Sequence, residues 1–194
     1  SNAYDFDQTI SGVQLGDAAL NGVLTFSGPG TLRADLTVTA ASDVLLTGNL
    51  GEVGGARSIV KAGAGELTLG GANTFSGAVT VNSGTLNVTG GSAITDGGAV
   101  TVNSPGTFKV SANETIGSLT GAGAVSLQAT NILTVGGAST TLYSGLMSGT
   151  GGFSKAGTGT LTVGGANSFS GGSALSSGVL QVGNDAALGT GETG

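Results

Sequence analysis

The chain has 194 residues, enough for a single domain with a sizeable core, yet 40 of them are glycine, 8% are charged and none is cysteine or histidine. A hydrophobic share of 38% with so little charge excludes an intrinsically disordered chain, which needs the reverse balance. The net charge of −6, with its five cations scattered at Arg33, Arg57, Lys61, Lys109 and Lys155, excludes a basic stripe for nucleic acid; two tyrosines and six phenylalanines give no base-stacking platform either.

Further classes fall away with the missing residue types. Without cysteine there is no disulfide framework, so stability must come from packing and backbone pairing. Without histidine the commonest zinc ligand and the commonest general base are gone. No apolar run approaches the ~18 residues that a membrane-spanning helix needs.

Taken from the start, Ser1-Asn2-Ala3 reads as the scar of a cleaved expression tag, and no signal peptide is visible, so the chain is expected to be an excised segment. Asp5-Phe6-Asp7 places two carboxylates on one face of an extended strand, where they could hold a cation; a solvated terminus is the simpler reading. VLTFSG (Val23–Gly28), TLRADLTV (Thr31–Val38) and DVLLTG (Asp43–Gly48) look like strands closed by turns. GEVGGARSIVKAG (Gly51–Gly63) is looser than its later counterpart SGTGGFSKAG (Ser148–Gly157).

From Lys61 the pattern sharpens. The tetrads AVTV (Ala78–Val81), TLNV (Thr85–Val88), AVTV (Ala99–Val102), TFKV (Thr107–Val110), AVSL (Ala124–Leu127) and ILTV (Ile132–Val135) each put their second and fourth residues on one face. That is the period of a half-buried strand, with Thr, Asn, Lys and Ser on the wet face. Within a pair the strands start seven or eight residues apart, and successive pairs start 21 and then 25 apart. Asn82-Ser83-Gly84, Gly90-Gly91-Ser92 and Asn103-Ser104-Pro105-Gly106 supply turn chemistry between them. Recurrence at this period predicts an all-β solenoid of coils of roughly 20–25 residues, each stacking on the last at the ~4.8 Å spacing of paired strands. The strands are too short for a good barrel wall, which disfavours an antiparallel barrel or sandwich.

A longer repeat overlies the short one. KAGAGELTLGGANTFSGAVTVNSGTLNV (Lys61–Val88) returns without a gap as KAGTGTLTVGGANSFSGGSALSSGVLQV (Lys155–Val182), 94 residues on and identical at 17 of 28 positions. Read as a whole module, 94 residues is about four coils of about 23. Gly70-Gly71 with Gly164-Gly165, and Gly84 with Gly178, are expected at sharp corners where a side chain would clash.

Both copies resemble the passenger-associated transport repeat of autotransporters. The residues that carry the likeness are Lys61, Gly63, Gly65, Leu67, Leu69, Asn73, Phe75, Gly77, Gly84 and Leu86, then Lys155, Gly157, Gly159, Leu161, Val163, Asn167, Phe169, Gly171, Gly178 and Leu180. ETIGSLTGAGAVSL (Glu114–Leu127) and VGNDAALGTG (Val182–Gly191) resemble the sequence between such repeats, whereas residues 4–60 share only the style. The second copy departs at SALSSGVL, where Ser173 stands in place of a strand valine, so a less regular coil is expected there. The resemblance implies a right-handed parallel β-helix in an autotransporter passenger. Its domains would be the scar at 1–3, N-terminal coils at 4–60 and the repeat-bearing helix at 61–194, with repeats starting near 61 and 155. It further implies export across a Gram-negative outer membrane by a C-terminal β-barrel that is absent here, and a place outside the cell on the bacterial surface.

Catalytic chemistry is sparse. Polysaccharide-degrading β-helices need clustered carboxylates, and Asp35, Asp43, Glu52, Arg57 and Glu66 are the densest charged group; an ordinary solvated face accounts for them, and Glu66 is matched by Thr160 in the second copy. Lys61 and Lys155 recur, which suits bonding to turn carbonyls better than catalysis, and Phe75 and Phe169 suit the core. ITDGGAV (Ile94–Val100) lacks the full calcium β-roll pattern and reads as a plain turn. The Thr-containing strands do not recur strictly enough for an ice-binding face, and Asn87-Val88-Thr89 and Asn113-Glu114-Thr115 match the glycosylation pattern with little weight in a bacterial chain. No catalytic, cofactor-binding or metal-ligating residue is therefore assigned, and no enzyme or cofactor is expected. The expected function is a structural passenger segment supporting secretion and display. The alternatives are an adhesin that binds a host surface or matrix ligand, and a β-helix polysaccharide-degrading enzyme. End-to-end self-association through exposed strand edges is a further expectation.

Overall fold

A computed structural model describes residues 3–6, 13–15 (backbone only) and 22–191. Asp7, and Ser1 and Asn2 of the tag-like start, lie outside the described residues. Among these residues the protein is all-β, with parallel sheets forming a solenoid of about eight turns.

Three walls recur in chain order. The first carries Val13–Leu15, Leu36–Ala40, Ile59–Ala62, Val79–Val81, Ala99–Val102, Ser118–Gly121, Thr141–Tyr143, Thr160–Val163 and Val179–Val182 as one nine-stranded sheet. The second carries Leu24–Phe26, Val44–Leu46, Glu66–Leu69, Thr85–Val88, Thr107–Val110, Ala124–Leu127 and Met147–Gly149. The third is split between Tyr4–Phe6, Gly30–Leu32, Leu50–Glu52 and, further on, Glu114–Ile116, Ile132–Val135, Gly152–Lys155 and Ser173–Leu175.

Every strand pair is parallel, which is what successive windings in one hand produce and what hairpins cannot. All six tetrads form strands at the expected places, the first beginning at Val79. Their alternate residues Val79, Val81, Leu86, Val88, Val100, Val102, Phe108, Val110, Val125, Leu127, Leu133 and Val135 are all buried. A single winding has no second layer to cover these side chains, so each buries its aliphatics only against the windings on either side. The core is thus one continuous column from Phe6 to Ala187.

The register corrects the reading of the long repeat. Lys61 stacks through Val81, Val102 and Gly121 onto Tyr143, so four windings already separate Lys61 from Tyr143. The rest of the offset carries the chain past the second wall to Lys155 on the third. The module therefore returns after four windings and two walls, not after four whole coils. Its first copy occupies the first, second, third, first and second walls; its second copy starts on the third wall and is turned about the axis by one wall. The same slip explains the wider interval between the last two strand pairs. AVSL and ILTV lie on the second and third walls, and the true first-wall partner of Ala99–Val102 is Ser118–Gly121. The stretch Glu114–Leu127, expected to resemble inter-repeat sequence, holds two strands, Glu114–Ile116 and Ser118–Gly121, ahead of the expected AVSL strand.

The loose segment after Leu50–Glu52 is a corner loop with Gly54 and Gly55 at positive φ, and it lengthens the winding that runs from Leu36 to its partner Ile59. Ser173 does not break its coil: it opens a third-wall strand, and its hydroxyl donates to the Leu188 carbonyl at 3.0 Å.

Candidate functional site: polar clamps inside the solenoid

Where the ANTF and ANSF segments pass, a wall loses its strand and with it the regular ladder. Buried backbone groups there must find other partners or carry a cost of about 1–3 kcal/mol each. Asn73, buried inside the column, answers this with its amide. Its Oδ1 accepts from the Leu50 N–H at 2.7 Å in the winding before, and its Nδ2 donates to the Ala93 carbonyl at 2.8 Å in the winding after. Asn167 does the same on the second wall, accepting from the Met147 N–H at 2.7 Å and donating to the Ala187 carbonyl at 2.5 Å. Each asparagine replaces a missing strand across three windings. Phe75 and Phe169, two residues on, are fully buried beside them.

The column on the third wall continues through Glu114. This carboxylate is 2% exposed and accepts from the Ile94 N–H at 2.7 Å and the Ala93 N–H at 3.2 Å. Burial pushes it up to about 7; the two N–H groups oppose that rise, and the charge of Asp96 adds to it. The glycosylation-like Asn113 beside it uses its Oδ1 to hold the Ile132 N–H at 2.8 Å.

Lys61 and Lys155 form a second pair of clamps at strand-to-strand corners. Both side chains are buried. The Lys61 amine donates to the carbonyls of Ala62 at 2.8 Å, Gly63 at 2.9 Å and Ser83 at 3.0 Å, binding its own corner to the next. Lys155 donates to Ala156 and, at 3.0 Å, to Gly157. Burial lowers both amines, Lys61 to about 8, with Asp43 pulling Lys61 back upward. Gly84 and Gly178 lie against these corners at φ 65° and 76°; an added Cβ at Gly84 would meet the Gly63 and Gly65 carbonyls and the Lys61 amine. Tyr143, in register with Lys61 four windings later, serves its corner likewise: its hydroxyl donates to Gly123 O at 2.7 Å.

The densest charged group does not converge on a cleft. Asp35 accepts from the Ser58 N–H at 2.9 Å and Asp43 from the Glu66 N–H at 3.0 Å, each one winding away. Glu52 accepts from the Arg57 N–H at 2.6 Å and the Ser76 hydroxyl at 2.6 Å. Glu66 instead joins Thr68, Asn87 and Lys109 on the outer face of the second wall. Asn87, expected on a wet face, is buried there together with Thr68; Lys109, its neighbour in the register, reaches across the Asn87 strand to Glu66. At the start of the chain Asp5 pairs with Arg33 at 3.0 Å. The Ile94–Val100 segment is a turn closed by the Gly98 N–H on Thr95 O at 2.7 Å. Among the described residues no three acidic side chains gather where a metal could bind.

Residues 59–88 and 153–182 each match the passenger-associated-transport-repeat family. The chain thus carries two stretches that match this repeat, and the repeats and the β-solenoid together fit an autotransporter passenger. No curated protein and no solved structure matches the chain. Sequence reasoning marked Lys61, Lys155, Phe75 and Phe169 as architectural. It counted Asn73 and Asn167 only as motif positions and missed Glu114, whose inward face is concealed by the polar residues around it.

Proposed function

We propose that this segment is a non-catalytic structural part of an exported passenger, one that helps the chain fold outside the outer membrane and holds other regions away from the cell surface. One observation carries the reading: the polar and aromatic residues that recur in both repeats, Lys61/Lys155, Asn73/Asn167 and Phe75/Phe169, are buried and bonded to or packed on their neighbours. Residues repeated for a ligand would face solvent. The two asparagines, which join three windings, make each repeat a local seed on which emerging chain can stack, and contacts between adjacent windings form without waiting for distant sequence.

The test joins the segment to an outer-membrane translocator barrel and measures protease-accessible passenger on intact cells. Asn73→Ala combined with Asn167→Ala removes both wall clamps, and several-fold less folded passenger is expected at the surface. Surface levels indifferent to the double substitution, in a chain shown to be destabilised by it, would refute the secretion role.

A further inference from the structure

On the outer face of the second wall three side chains from three successive windings meet. Glu66, Asn87 and Lys109 lie on adjacent parallel strands, and Asn87 stands directly opposite Lys109 in the register. One carboxylate bridges the other two: Asn87 Nδ2 donates to Glu66 Oε1 at 2.7 Å, and Lys109 Nζ lies 3.2 Å from Glu66 Oε2. Asn87 is 7% exposed, and its Oδ1 is buried with no hydrogen-bond partner.

We propose that Lys109 and Asn87 join in an intramolecular isopeptide bond, with Glu66 carrying the protons. The amine is a nucleophile once a neighbouring base removes its proton, and the register supplies the proximity that a free amine and amide lack. Glu66 takes a proton from the Lys109 ammonium, and Nζ adds to Cγ of Asn87. Glu66 then delivers protons to Nδ2, the Cγ–Nδ2 bond breaks, and an Nζ–Cγ amide remains. Of the three ammonium protons one stays on the new amide and two leave with the Asn87 NH2 as ammonium ion. Nothing is oxidised or reduced and no co-reactant enters. Asn87 Nδ2 already lies on Glu66 Oε1, where the leaving nitrogen must take up its proton, and the unpartnered Oδ1 holds no bond that the addition at Cγ would have to break.

The second repeat argues that the carboxylate is not there for the fold. At the equivalent positions stand Thr160 and Gln181, and Thr162 Oγ1 lies 2.8 Å from Gln181 Oε1, so an uncharged ladder holds the same strands together. The Glu66 carboxylate of the first repeat is therefore not needed to hold these two strands together. In a chain without cysteine, such a bond would tie neighbouring windings covalently whatever the redox state outside the cell. The bond would depend on the stacking and contacts of these three strands and not on whether the segment supports export.

Intact-mass measurement of the purified full chain should show the loss of one ammonia. After denaturation, trypsin should fail to cut behind Lys109 and yield a peptide running from Ala62 to Lys155 with fragment ions joining Lys109 to Asn87. Glu66→Gln and Lys109→Arg should each restore the full mass, and Glu66→Gln should restore cleavage at Lys109. A wild-type chain of full mass that trypsin cuts after Lys109 overturns the proposal. So does an ammonia loss that persists in Lys109→Arg, which would place it in ring closure of Asn87 onto its own backbone.

Discussion

Glu114 is a carboxylate in a place where the backbone, not a counter-ion, holds it. Two N–H groups of the strandless Ala93–Ile94 corner bond to it, yet burial outweighs them and lifts its pKa from 4.5 to about 7. Between those values the folded chain holds a proton that the unfolded chain has released. Stability from this group is therefore fully present below 4.5 and is lost as pH rises through about 7, amounting to roughly 3 kcal/mol across the window. Glu52 adds a slope in the opposite sense because its pKa is lowered, so the informative quantity is a difference. Urea unfolding followed from acid to neutral pH should show the stability of Glu114→Gln rising relative to wild type as pH increases. Parallel pH profiles for the two chains would mean that Glu114 titrates alike in the folded and unfolded chains.

At the scale of elements, the solenoid is shaped as much by its corners as by its strands. The glycine pairs Gly70-Gly71 and Gly164-Gly165 divide the work unequally. A Cβ on Gly165 would run into the Gly145 carbonyl of the previous winding, whereas the nearest atom to a Cβ on Gly164 is 3.8 Å away. Gly165→Ala should thus force two windings apart and lower the thermal midpoint by several degrees. Gly164→Ala should be neutral or slightly stabilising through the unfolded chain. Equal losses from both would mean that conformational freedom, not clearance, is what the pair supplies. Such corners also govern how far the fold was legible. Val79–Val81 and Thr107–Val110 announce themselves by alternation and by flanking turn letters. Ser118–Gly121 does not: Gly117 alone separates it from Glu114–Ile116, and two strands crowded ahead of AVSL read as a linker. ANTF and ANSF alternate in burial but not in apolar character, because the inward position before each phenylalanine is an asparagine, and no hydrophobic periodicity reveals it. The phase of the long repeat was hidden for a related reason. The three walls are locally alike, so the sequence specifies strand, corner and clamp without specifying which wall receives them.

That equivalence of walls has a consequence for the whole molecule. If each winding is held only by its two neighbours, a full winding should be removable, while part of one should not. Residues 122–143 form such a unit, since Gly121 and Tyr143 are in register on the first wall. Deleting them joins Gly121 to Ser144. It brings Thr107–Val110 over Met147–Gly149 and Glu114–Ile116 over Gly152–Lys155, and it leaves both matched repeats at 59–88 and 153–182 intact. Among the named buried clamps only the Tyr143–Gly123 bond is lost, and both of its partners leave together. The shortened chain should unfold cooperatively with a urea m-value lower by about one part in eight, because m follows the surface exposed and about one winding of eight is gone. Deleting only residues 122–132 carries the chain from the first wall straight to the third. Every later winding is then displaced from its wall, aliphatic faces meet corners, and Asn167 loses its partners, so that chain should fail to give a cooperative transition. Similar unfolding curves for the two deletions would show that the windings tolerate a change of wall, and the account of stability by register between neighbours would fail with it.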